Sequence, residues 1–208
     1  MNFNRWLATS AVITLSACSS GPKKPILELS AFEGKKVALV EVEGESTARS
    51  VIEVALVNQL VKRGTFILVS KKDIEQAKTA PHQNPADWQG VAKSAQADVA
   101  LRAIVKKFEA ETQDSYEKEA VIDSQYAAEQ GTDGKTERIV PVKTLSGEVQ
   151  VELLWTSLGK NETVSGIAEA KNSIQEKASK SAIHLPPRLR FLETLTNEAF
   201  AKFFDRYR

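Results

Sequence analysis

The only cysteine among 208 residues, Cys18, closes a short apolar leader, and that placement constrains how the rest of the chain can fold. Arg5 supplies a positive start, and the apolar stretch from Trp6 to Ala17 includes Leu7, Val12, Ile13 and Leu15. A bilayer-spanning helix needs about 20 apolar residues, so the shorter stretch reads as a secretory signal peptide covering residues 1–17. Export delivers the chain to an oxidising compartment without a second cysteine to form an internal disulfide. The folded part must hold together by packing alone.

The sequence Leu15-Ser16-Ala17-Cys18 resembles the lipobox of bacterial lipoproteins. The resemblance implies that the Cys18 thiol takes a diacylglycerol and becomes the first residue of the mature chain, with fatty acyl groups such as palmitate as its membrane anchor. Ser19 after the cysteine, rather than Asp, resembles the pattern of lipoproteins sent to the outer membrane and held at its periplasmic face. Residues 18–34 then read as a lipidated tether, opened by the turn-prone run Ser19-Ser20-Gly21-Pro22-Lys23-Lys24-Pro25. Residues 35–208 are the expected folded domain. The chain carries 28 basic and 27 acidic residues, and the leader removes only Arg5 from that balance. Such neutrality argues against a sequence-independent grip on nucleic acid, which depends on many Lys and Arg contacts to phosphate.

Hydrophobic patterning predicts a single α/β domain: a mixed sheet flanked by helices, with a β-hairpin insertion and a C-terminal helix. Lys36 to Val42 reads as a buried first strand. A helix follows from Ser46 to Arg63, capped by Ser46 or Thr47 and stopped at Gly64. Its apolar residues run around most of the circumference, as expected of a covered crossover helix or of one that contacts a subunit or partner. Phe66 to Val69 reads as a second buried strand and Lys71 to Ala80 as a short helix. A further helix is expected from Pro85, capped by Asn84, and a third strand from Asp98 to Phe108. Between Glu109 and Asp133 eight carboxylates face one base, Lys118, which predicts an exposed acidic insertion at about 109–143 that turns at Gly131-Thr132-Asp133-Gly134. Val149 to Thr156 and Val164 to Ala168 form a hairpin pattern around Gly159-Lys160-Asn161-Glu162, and Pro186-Pro187 opens the last helix.

Candidate chemistry is sparse. The two histidines, His82 and His184, lie in Pro-flanked loops, and no nucleophile-elbow sequence accompanies them. A zinc site wants three or four close Cys or His ligands, and the acidic segment lacks the spacing of a calcium loop. Glu41 and Glu43 share a face at the end of the first strand, where clefts form in open α/β sheets, but a solvated strand end explains them as well. No glycine-rich phosphate loop follows that strand. The reading is of a non-enzyme without metal or cofactor. Tyr116 and Tyr126 in the acidic segment are candidates for a partner interface. On the last helix large aromatics are expected in the core, and the alternative is that the side holding Phe200, Phe204 and Tyr207 contacts a second subunit, since aromatics are enriched among interface anchors.

The order of elements resembles the periplasmic domain shared by the CsgG, LpoB and TolB N-terminal-domain group. The resemblance rests on Lys36-Val37-Ala38-Leu39-Val40, on Leu60 to Val69 with its Gly64-Thr65-Phe66 turn, on Ala97-Asp98-Val99, and on Val149 to Leu158 followed by Gly159. It implies a non-enzymatic envelope module that binds an envelope protein or associates with copies of itself. A subunit of a CsgG-like secretion channel, or an activator of peptidoglycan synthesis, is the alternative the same resemblance implies.

Overall fold

A computed structural model describes residues 27–81, 83–122, 135–178 and 183–207. Among these residues five strands form one mixed sheet: β1 (Lys36–Glu43), β2 (Ile67–Leu68), β3 (Val99–Ile122), β4 (Lys135–Ser157) and β5 (Glu162–Lys177), in the order β2-β1-β3-β4-β5. The helices are α1 (Ser46–Arg63), α2 (Lys71–Lys78), α3 (Trp88–Ser94) and α4 (Arg188–Arg206). β1 runs parallel to both of its neighbours, and β3, β4 and β5 form an antiparallel meander. The expected α/β class, with its mixed sheet, hairpin and C-terminal helix, is the observed architecture.

The main core lies on one sheet face, where Ile52, Leu56 and Leu60 of α1 meet Leu195, Phe200, Phe203 and Phe204 of α4 over Leu101, Leu153 and Trp155. Trp155 stacks on Phe32 with centroids 5.5 Å apart and takes Phe204 edge-on at 6.4 Å. α4 lies close to the sheet because its floor carries two glycines. A Cβ on Gly147 would sit 2.9 Å from Phe191 Cε1, and one on Gly166 would sit 2.7 Å from Phe203 Cε2. A smaller cluster on the opposite face packs Ile74, Ala77, Val91 and Ala92 of α2 and α3 over Ala38, Val40 and Ala100.

Several local expectations change. α1 has the expected bounds and ends at Gly64 with φ 64°, but Glu45 is its N-cap and neither Ser46 nor Thr47 caps it. α3 begins at Trp88, not Pro85. Asn84 accepts the Ala86 N–H in a local turn, and the cap is Asp87, which accepts the Gly90 N–H at 3.0 Å. β2 is a two-residue edge strand rather than a buried one, with Ile67 54% exposed, because it has a single strand neighbour. The body also starts before residue 35. A 3₁₀ turn at Leu29–Phe32 buries Leu29 and Phe32, and Leu27 packs beside Gly166, so the end of the expected tether belongs to the core.

The largest difference concerns the acidic segment. β3 does not stop near Phe108 but continues to Ile122, paired with β4 along its length from Val99 opposite Ser157 to Ile122 opposite Lys135. A register shift between Val105 and Lys107 moves the α4-facing side chains of β3 from Val99, Leu101 and Ala103 to Phe108 and Ala110. β5 accompanies this ribbon only as far as Val142, opposite Lys177. The expected turn at Gly131–Gly134 lies outside the described residues.

Candidate interaction surfaces

α1 has two apolar faces. Ala48, Ile52, Ala55, Leu56 and Leu60 are buried, whereas Val54 and Val61 are 61% and 64% exposed with half-buried Val57 between them. Spacings of three and four residues place these valines on one stripe. The stripe forms a wall of a groove of about 890 Å³, bounded by β2, Ile74 of α2 and Trp88 of α3. Ion pairs line the rim: Lys71 to Glu53 at 2.5 Å and Lys78 to Glu75 at 2.9 Å. The hydrogen bond that Lys71 donates to Glu53, and then the carboxylate's charge, hold its ammonium pKa above the ordinary lysine range. The arrangement suits an apolar side chain or helix face docking between charged borders, because burying apolar surface drives association while rim charges set orientation.

At the end of β1, Glu41 and Glu43 both face Arg102 of β3. The Glu41 carboxylate lies 2.7 Å from Arg102 Nε, and Arg102 Nη2 donates to Glu43 at 2.6 Å. β1 and β3 pair in parallel here, with Glu41 opposite Arg102 and Glu43 opposite Ile104, so one guanidinium spans both acids and ties the two strands together.

The ribbon presents a second surface. Tyr116, Ile122 and Ile139 are 75%, 73% and 69% exposed. Tyr116 lies opposite Pro141, Lys118 opposite Ile139 and Ile122 opposite Lys135, so these side chains share a face, since directly opposed residues of an antiparallel pair point the same way. It is the face that α4 covers further along the sheet. On that face the acids meet bases, Lys118 with Glu137 at 2.8 Å and Lys143 with Asp114 at 3.7 Å, and on the opposite face Arg138 pairs with Glu119 at 3.0 Å and Lys177 of β5 with Glu117. Hydrogen bonds from Lys177 and Gln175 hold the Glu117 pKa below the usual carboxylate range.

The expected interface residues part company. Tyr116 is exposed on the ribbon, and Tyr126, like Cys18 and His82, lies outside the described residues. Phe200 and Phe204 are fully enclosed and belong to the core, as expected of large aromatics on a helix, which corrects the alternative that they form a contact face. α4 is packed against α1 on one side and the sheet on another, so its aromatic side is already occupied. Tyr207 is half-buried, with its ring 4.9 Å from Phe203, and its carbonyl accepts the Leu29 N–H. His184 is exposed, and its backbone N–H donates to Glu176 at 2.6 Å. Among the described residues no group of three or more His, Cys, Asp or Glu is placed to hold a metal, and no helix is long and apolar enough to cross a membrane. Sequence reading missed Ile139 and Trp88. The run Ile139-Val140-Pro141-Val142 offered a signal for the first, since its alternate residues end up exposed and buried.

No family model matches the chain, and no curated protein does. Solved structures resemble it partially. The LpoB C-terminal domain from Salmonella enterica covers 66% of this chain and 83% of its own at 14% identity, with a TM-score of 0.36. Lipoprotein GNA1162 from Neisseria meningitidis covers 82% of this chain and 97% of its own at 9% identity and a TM-score of 0.36. A PelC dodecamer subunit from Paraburkholderia phytofirmans covers 86% and 90% at 13% identity and a TM-score of 0.34.

Proposed function

We propose that the chain is a lipid-anchored, non-enzymatic binding module of the cell envelope, held through Cys18 at the periplasmic face of the outer membrane. The observation that carries the binding role is the uncovered valine stripe of α1 on its groove. Val54 and Val61 are more than half exposed on a helix whose other face is fully packed, and an apolar patch rimmed by charge marks a protein contact more often than a solvent-facing helix side. The leader ending in Leu15-Ser16-Ala17-Cys18 supports the anchoring. Glu41 and Glu43 are engaged by Arg102, which favours a structural part for them over acid–base chemistry.

The channel-subunit reading ranks below this one. The ribbon bears charges on both faces, with Lys118 and Lys143 on one and Glu119 and Arg138 on the other. Basic residues facing lipid near the bilayer midplane cost about 2–4 kcal/mol each.

Photo-crosslinking in living cells tests the proposal. A crosslinker at Asn58, beside the valine stripe, is expected to capture a discrete envelope partner, and Val54→Glu with Val61→Glu is expected to abolish that capture while the protein stays folded. Unchanged capture in the double variant defeats the groove reading. Failure of Cys18 to incorporate radiolabelled palmitate defeats the anchoring.

A further inference from the structure

The two edges of the sheet differ greatly. β2 exposes a two-residue edge, whereas β5 extends over 16 residues and no strand pairs with its outer side among the described residues. A long edge presents a row of unpaired N–H and C=O groups and is a template for another strand. The middle of β5 reads Glu169-Ala170-Lys171. Glu169 lies opposite Gln150 and Lys171 opposite Glu148, which puts both on the sheet face away from α4. Glu169 is exposed and has no ion-pair partner among the described residues. The Lys171 side chain is 77% exposed and, among the described residues, its ion-pair partner is Glu148, at 3.9 Å.

We propose that β5 pairs antiparallel with β5 of a second copy about a two-fold axis at Ala170, extending the sheet across both molecules. The charge sequence selects this register. With Ala170 on the axis, Glu169 meets the partner's Lys171 on the same face and the reverse pair forms by symmetry. Ile167 then meets the partner's Ser173, Ser165 the partner's Gln175 and Thr163 the partner's Lys177, so no like charges oppose each other. Moving the axis to Glu169 or to Lys171 sets two like charges face to face, which is destabilising for directly opposed cross-strand residues. A two-fold interface must be self-complementary, and a strand with opposite charges flanking its centre satisfies that condition.

Sedimentation of the full-length chain in detergent tests the pairing. The parent is expected to be dimeric. Glu169→Lys alone and Lys171→Glu alone each convert two attractive cross-strand pairs into two repulsive ones, weakening association about tenfold. The double exchange is expected to restore the dimer, and so is an equimolar mixture of the two single variants, because in the mixed pair every Lys again faces a Glu. Circular dichroism checks that each variant is folded. A monomeric parent, single reversals without effect, or a mixture that stays dissociated would overturn the proposal.

Discussion

The body and the distal ribbon share three continuous strands, yet different forces hold them. In the body, β3, β4 and β5 lie beneath α4, and their inward side chains (Leu101, Leu153, Trp155 and Ala168) are buried. Past Leu145 the same strands leave the helix behind. Only Val140 and Val142 of the described ribbon residues are buried, and the pairs around them are Lys118–Glu137, Arg138–Glu119, Lys143–Asp114 and Lys177–Glu117. The body depends on apolar burial, which carries most folding free energy. The ribbon buries little beyond Val140 and Val142 and depends mainly on its backbone ladder and on exposed ion pairs worth little individually. A single strand can thus pass from a region that tolerates almost no change to one that tolerates a great deal.

The sharpest way to break this contrast is Trp155→Ala. It removes the ring that meets Phe32, Phe66 and Phe204 and is expected to lower global stability by about 3–5 kcal/mol in denaturant unfolding. A loss below 1 kcal/mol would mean that the body is not held by this core. Gly166→Ala comes next. Its new methyl would collide with Phe203 and Leu27, and overpacking of this kind costs about 1–3 kcal/mol, visible as a lowered unfolding midpoint. On the ribbon, Arg138→Gln leaves Glu119 without its 3.0 Å partner and is expected to change stability by no more than about 1 kcal/mol. Faster amide exchange is expected near Glu119 and Ile139, with the body unaffected. A global loss as large as that of Trp155→Ala would erase the distinction.

The smallest expected effect is one of pH. Glu117 has a depressed pKa in the folded state, so its contribution is present above the ordinary carboxylate range and is lost as pH falls through its lowered value. Amide exchange at Gln175 to Lys177, corrected for the intrinsic acid dependence, is expected to rise over that interval. In Glu117→Gln the rise should disappear. A persistent rise would assign the effect to another group.

Much of the fold was legible in the sequence because local signals carried it. The bounds of α1 follow from its apolar pattern and the left-handed stop at Gly64. The β4–β5 hairpin follows from alternation around Gly159 to Glu162. The hairpin insertion was legible, but neither its continuity with β3 nor its charge pairing was, since the acidic run looks uncompensated when read along β3. Its bases stand across the ladder on β4 and β5, at Arg138, Lys143 and Lys177. The sequence favours a core role for Phe200 and Phe204, but a helix's aromatic stripe looks the same in sequence whether it meets its own core or a partner, so only the structure removes the second reading.

Periodicity and chain-breaking residues act within a few positions of each other, so the sequence alone determined the order of helices and strands, though not where β3 ends or α3 begins. It also determined that a chain with a single cysteine must be held by packing. The tertiary structure decided which apolar residues stay uncovered, Val54 and Val61 but not Phe200 or Phe204, and which opposite charges meet. Those outcomes depend on contacts between residues far apart in the chain, as with Glu117 and Lys177, and no local pattern records them.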